Sequence, residues 1–219
     1  MLRRQMTQEK QKPSAAWHAV VFIAIVMALA MMHVRAMELW PIFWIAPLAI
    51  YLLVVWLVPF LRTTFRPWRF GLVSKFLIAS SLVIAVASCA ILAVFHWYCH
   101  PDVSLLRQSI PVDALRGILC AGILFSIGNA LLEEIVFRGV IFDAASAFAG
   151  DGMAVFLSAA LFGMCHLQGY PPGALGGVLA GVFGLCLGWL RMMTGGLGLA
   201  VLVHITADAT IYSLIFSQE

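Results

Sequence analysis

The chain has 219 residues, 63% of them hydrophobic and 11% charged, and a net charge of +3. That excludes a soluble domain, where about 25% of residues are charged, and the basic excess is too small to argue for a nucleic-acid partner. The five cysteines (Cys89, Cys99, Cys120, Cys165 and Cys186) form no CxxC pair and read as small apolar fillers.

With a mean hydropathy of +1.01, the fold class expected is an all-α, polytopic membrane bundle. Residues 1–16 form a basic tail with Arg3, Arg4, Lys10 and Lys12. The apolar run Ala19–Met32 follows with no small-x-small cleavage site after it, so it reads as an uncleaved first span. Residues 17–219 form one transmembrane domain. Its apolar segments are Trp17–Val34, Trp40–Leu61, Leu72–Trp97, Leu115–Ala145, Gly152–Leu167, Gly173–Met193 and Leu197–Phe216. A crossing takes about 20 residues, so Gly152–Leu167 must extend at one end. Breakers separate the segments at Pro41, Pro67, Pro101, Pro111, Gly150-Asp151-Gly152, Pro171-Pro172 and Gly195-Gly196. Trp17, Trp40, Trp68, Trp97 and Tyr98 mark segment ends, as interfacial anchors do. Pro47 and Pro59 are candidate kinks in the second segment.

Seven spans are expected; the alternative is eight, with the fourth segment broken near Gly139. Arg62, Arg66, Arg69 and Lys75 follow the second span, while the opposite loops hold only Arg35, and Arg107 with Arg116. The positive-inside rule then puts the N-terminus in the cytoplasm, in the inner (plasma) membrane of a cell.

Residues 115–216 are the chemical half. Glu133, Glu134 and Arg138 lie within a run otherwise uncharged from Ile118 to Phe142. Each such charge costs about 2.5–3.5 kcal/mol at bilayer depth on insertion scales. Glu134 and Arg138 are spaced i, i+4 and can pair, whereas Glu133 is rotated by about 100° and has no cation one turn away. One carboxylate is thus neutralised and the other left for chemistry; the plainer reading is an ion pair that locks two helices. His166, His204 and Asp208 complete the set, the last two spaced i, i+4. Each taken singly also reads as a hydrogen-bonded packing residue. At 1.5 Å rise per residue, the acid of the fourth segment and the groups of the fifth and seventh fall roughly 12–21 Å from the inner helix ends. One cavity near the middle of the membrane can therefore hold them.

Two carboxylates and two histidines, with no activated nucleophile, suit a water held and deprotonated by a glutamate beside a histidine. The second histidine suits an oxyanion. No Gly-x-Ser-x-Gly, His-Glu-x-x-His or Gly-x-Gly-Asp motif is present. Cys165 adjoins His166, but sequence neighbours on a helix point about 100° apart.

Glu133-Glu134-x-x-Phe137-Arg138-Gly139, then Phe162-x-x-x-His166, then His204-x-x-x-Asp208, in that order, resembles the CAAX protease and bacteriocin-processing family. The resemblance covers Ile118 to Phe216. It implies an intramembrane glutamate-type endopeptidase, with Glu133 as general base and His166 its partner. Glu134 and Arg138 would shape the site, and His204 and Asp208 would hold the oxyanion. An ionised Asp208 accepts but cannot donate, so it is either protonated or orients His204. The family is often labelled metalloprotease, and His166, His204 and Glu133 would be the zinc set; the water mechanism needs no ion, and no cofactor is expected. The expected partners are a membrane protein or peptide substrate and the lipid bilayer. Two other readings stand beside this one. A proton- or ion-coupled transporter is disfavoured because the buried charge is confined to one half. A non-catalytic immunity or binding protein would tolerate loss of Glu133.

Overall fold

Within a bilayer no water satisfies the backbone, so each N–H and C=O must be paired inside the chain. In the computed structural model, which describes residues 2–31, 42–65, 69–104, 107 and 115–217, the apolar runs meet that demand as helices. They are α1 (Leu2–Met31), α2 (Ile42–Leu57), α3 (Pro59–Thr64), α4 (Lys75–Cys99) and α5 (Leu115–Glu134). A π-helical turn (Ile135–Ile141) joins α5 without a break to α6 (Phe142–Ala149), and α7 (Asp151–Cys165), α8 (Gly173–Thr194) and α9 (Gly198–Ser217) follow. No strand occurs among the described residues.

Lys75–Cys99, Leu119–Ala149, Gly173–Thr194 and Gly198–Ser217 are long and apolar enough to cross a membrane. Ala15–Leu29, Ile45–Leu57 and Asp151–Cys165 are apolar but shorter. Large apolar side chains cover the outside, as with Val83 and Val86, each 68% exposed. A water-facing surface rarely carries such a belt, and this is an integral membrane protein.

Several local expectations meet a definite outcome. The continuous helix through Gly139 leaves the eight-segment alternative without its break. Pro47 stays inside α2, whereas Pro59 opens α3, where its missing N–H has no helical partner to lose. Helix α7 does not extend: it stops at Cys165, and His166 is its C-cap, with φ −93° and ψ 5°. Trp40, Trp68, Pro41, Pro67, Pro111, Arg35 and Arg66 lie outside the described residues, as does the side chain of Arg116.

Two features place the site. Phe22, Leu48, Tyr51, Val55 and Leu61 of the first three helices pack on Val136, Phe137 and Val140 of the π turn and on Phe162, so the N-terminal half buttresses the turn. At the other end of α6, Gly150 takes φ +81° between α6 and α7, a backbone state open to glycine, and closes a tight hairpin. Segment 69–72 runs alongside segment 194–198, with Leu72 N–H donating to Thr194 O at 2.8 Å and Leu197 N–H to Arg69 O at 2.8 Å.

Candidate active site

Glu133 and Glu134 end α5, Arg138 lies in the π turn, His166 caps α7, and His204 and Asp208 are on α9. Three chain segments thus bring all six residues together. A π turn carries an extra residue, a feature common at functional sites.

Glu134 and Arg138 are both fully buried and pair at 2.8 Å between Oε1 and a terminal guanidinium nitrogen. The other terminal nitrogen donates to Gly184 O at 3.2 Å, and the guanidinium lies over the Phe162 ring, 4.4 Å from its centroid. The same Glu134 Oε1 accepts from His204 Nδ1 at 2.9 Å. A carboxylate paired with arginine is acceptor-only, so Nδ1 of His204 carries a proton. The opposite ring nitrogen, Nε2, is thereby turned toward Glu133 Oε2 at 3.5 Å and Asp208 Oδ1 at 3.7 Å.

His166 is fixed by a different partner. Its Nδ1 lies 2.7 Å from Phe162 O, and a carbonyl can only accept, so Nδ1 donates. In the neutral ring Nε2 then keeps its lone pair, 3.7 Å from Glu133 Oε2. Glu133 is 5% exposed, yet its Oε2 has no hydrogen-bond partner within the protein. Two acceptors at that separation, one on a carboxylate and one on an imidazole, suit a single water that donates to both. Glu134 Oε2 and Arg138 Nε are likewise buried without a partner.

Three of the six, His166, His204 and Asp208, line a largely apolar cavity of about 230 Å³, together with Phe162 on their side and α4 and α8 on the other. Val83 and Ile91 of α4 and Val182 of α8 line it and are exposed. The cavity is therefore open between these two helices. Among the described residues, no group of three or more His, Cys, Asp or Glu is arranged to hold a metal ion, the set His166, His204 and Glu133 included.

Reading the sequence by its charges leaves out four residues that this geometry uses. Asn129 donates to Asp208 Oδ2 at 3.2 Å. Arg191 donates from Nε to Arg138 O at 3.0 Å and from a terminal nitrogen to Asp143 Oδ1 at 2.8 Å. Gly184 supplies the carbonyl for Arg138, and a Cβ there would lie 3.1 Å from Ala159 Cα and 3.2 Å from the guanidinium. Asn129 stands one turn before Glu133 on the same face.

Against known families, the profile described as Type II CAAX prenyl endopeptidase Rce1-like matches residues 115–210. That span includes all six residues. Residues 115–210 are therefore similar to an Rce1-like domain. The Rce1-like family is a protease family within the CAAX protease and bacteriocin-processing group, and its general activity is intramembrane peptide-bond cleavage. No curated protein and no solved structure gives a significant match to the chain. The matched span begins at α5 and ends on α9 after Asp208, leaving α1 to α4 outside it.

Proposed function

We propose that the protein hydrolyses a peptide bond near the C-terminus of a membrane-associated protein or peptide, using water activated by Glu133 and His166. The supporting observation is the buried, unpartnered Oε2 of Glu133, 3.7 Å from His166 Nε2 and 3.5 Å from His204 Nε2. A water between Glu133 and His166 gives its proton to the carboxylate as its oxygen attacks the scissile carbonyl. The proton taken up by Glu133 passes to the leaving amine when the tetrahedral intermediate collapses. The oxyanion falls to His204 as the imidazolium, protonated on Nδ1 toward Glu134 and donating from Nε2.

The remaining groups hold this arrangement. Glu134 fixes the ring of His204 through Nδ1, and Arg138 balances the charge of Glu134. Asp208 accepts from Asn129 and faces His204 Nε2, which favours an orienting role over direct donation to the oxyanion. Substrate enters from the bilayer between α4 and α8, its apolar side chains replacing lipid along the cavity wall. With the basic tail and the residues Arg62, Arg69 and Lys75 on one side, the N-terminus faces the cytoplasm of an inner-membrane protein.

The test is a comparison of membrane-protein C-termini by mass spectrometry in cells carrying the wild type or Glu133→Gln. Shortened C-termini are expected with the wild type alone. The same set of termini in both strains overturns the reading.

A further inference from the structure

The polar groups His18, Tyr51 and Thr64, and the pair His96 and Tyr170, close hydrogen bonds within the scaffold.

Helices α5 and α9 run in opposite directions and meet through two pairs of side chains. Asn129 and Glu133 lie one turn apart on α5, and His204 and Asp208 lie one turn apart on α9. Glu133 faces His204 at 3.5 Å, and Asn129 faces Asp208 at 3.2 Å. The second pair stacks on the first as the next rung of a ladder. All four side chains are buried, the most exposed being Asn129 at 7%.

We infer that Asn129 is a positioning residue for the reaction: its amide holds one oxygen of Asp208 so that the other is aimed at His204. An amide nitrogen donates and a carboxylate oxygen accepts, so the bond from Nδ2 to Oδ2 settles which oxygen is engaged. The carboxylate has one rotation left about its terminal bond, and the amide removes it. Oδ1 is then held 3.7 Å from Nε2 of His204, the nitrogen the proposed mechanism turns toward the oxyanion. Without the amide, Asp208 keeps its helix position but not its angle. A buried carboxylate oxygen without a donor also seeks another partner, and the Nε2–H of His204 is within reach. Asn129 therefore fixes the distance at which Asp208 faces that proton donor.

The inference rests on the protease reading, and the experiment separates their failures. The probe is an internally quenched synthetic peptide bearing the C-terminal sequence of a membrane protein that the wild type shortens. Enzyme is assayed in liposomes as the wild type, Asn129→Leu, Asn129→Asp, and the exchange Asn129→Asp with Asp208→Asn. The leucine variant is expected to lose kcat by about 10- to 100-fold, the usual effect of removing an outer hydrogen-bond partner, at unchanged KM. Asn129→Asp sets two carboxylates face to face and falls further. The exchange restores one donor and one acceptor across the rung, now donating from α9, and recovers activity above either Asn129→Asp or Asp208→Asn alone. Wild-type kcat in Asn129→Leu, or an exchange no better than Asn129→Asp, overturns the inference while leaving the protease reading intact. A wild type that shortens no protein removes both.

Discussion

Arg191 reaches from α8 to the backbone of Arg138, donating from Nε to its carbonyl at 3.0 Å while a terminal nitrogen bridges to Asp143 Oδ1 at 2.8 Å. One guanidinium thus spans the π turn and the start of α6, and it also lies over the Phe142 ring, 5.1 Å from its centroid. The consequence is mechanical: Glu133, Glu134 and Arg138 keep their register only while the turn keeps its extra residue. Arg191→Lys preserves charge but cannot supply the mid-chain donor and the terminal donor together. Loss of that bond is expected to cost about 1.5–3 kcal/mol in unfolding in micelles, with slower cleavage. Asp143→Asn, which keeps an acceptor oxygen, is expected to cost less. Arg191→Lys with wild-type unfolding and wild-type turnover means that the turn needs no clamp.

Glu134 and Arg138 are each 0% exposed, so neither charge tolerates loss of the other. Glu134→Leu leaves a guanidinium in an apolar core and is expected to destabilise the protein by about 3–5 kcal/mol. The pair Glu134→Leu with Arg138→Met removes both charges and is expected to regain most of that stability. It remains inactive, because His204 Nδ1 has lost its acceptor. Thermal unfolding and peptide cleavage on the two variants beside the wild type check this, and an active double variant means that Glu134 does not orient His204.

Glu133 gives the opposite pattern. Its Oε2 takes no hydrogen bond from the protein, so Glu133→Gln should leave unfolding unchanged or slightly improved. Cleavage is expected to fall by about 10²–10⁴-fold, the range for removal of a general base. A large loss of stability in this variant assigns Glu133 to packing instead.

What the sequence shows of this site follows from what charge costs in lipid. Glu133, Glu134, Arg138 and Asp208 stand out because each needs a reason to be there, and His204 and His166 follow by their spacing. Asn129 carries no charge, so nothing in an apolar run singles it out until Asp208 is found 3.2 Å away. Asp143 and Arg191 sit near helix ends, where charges ordinarily meet water or headgroups, and their joint grip on the π turn is a tertiary fact. The turn itself, Ile135–Ile141, has the composition of any buried helix. The end of α7 is hidden for a similar reason: the chain leaves the helix at His166, before Gly169 and Pro171 announce a loop. Non-helical backbone at that depth is tolerated because it borders the cavity.

Helix α7 and helix α8 approach so closely that glycine is required on both. A Cβ at Gly163 would lie 2.6 Å from Gly177 O and 3.1 Å from Gly181 N, and backbone atoms cannot swing aside as a side chain can. Gly163→Ala is therefore expected to push the helices apart at a cost of about 1–3 kcal/mol. His166 follows three residues later, so the displacement shifts its ring from Glu133 and lowers cleavage more than stability alone accounts for. Gly152, at the far end of the same helix, has nothing within 4 Å of an added Cβ. Gly152→Ala is expected to stabilise the helix by about 0.5–1 kcal/mol and to leave cleavage unchanged. Paired measurements of unfolding and turnover on the two alanine variants decide the matter. Equal behaviour at both positions means that the glycine face of α8 does not set the place of His166.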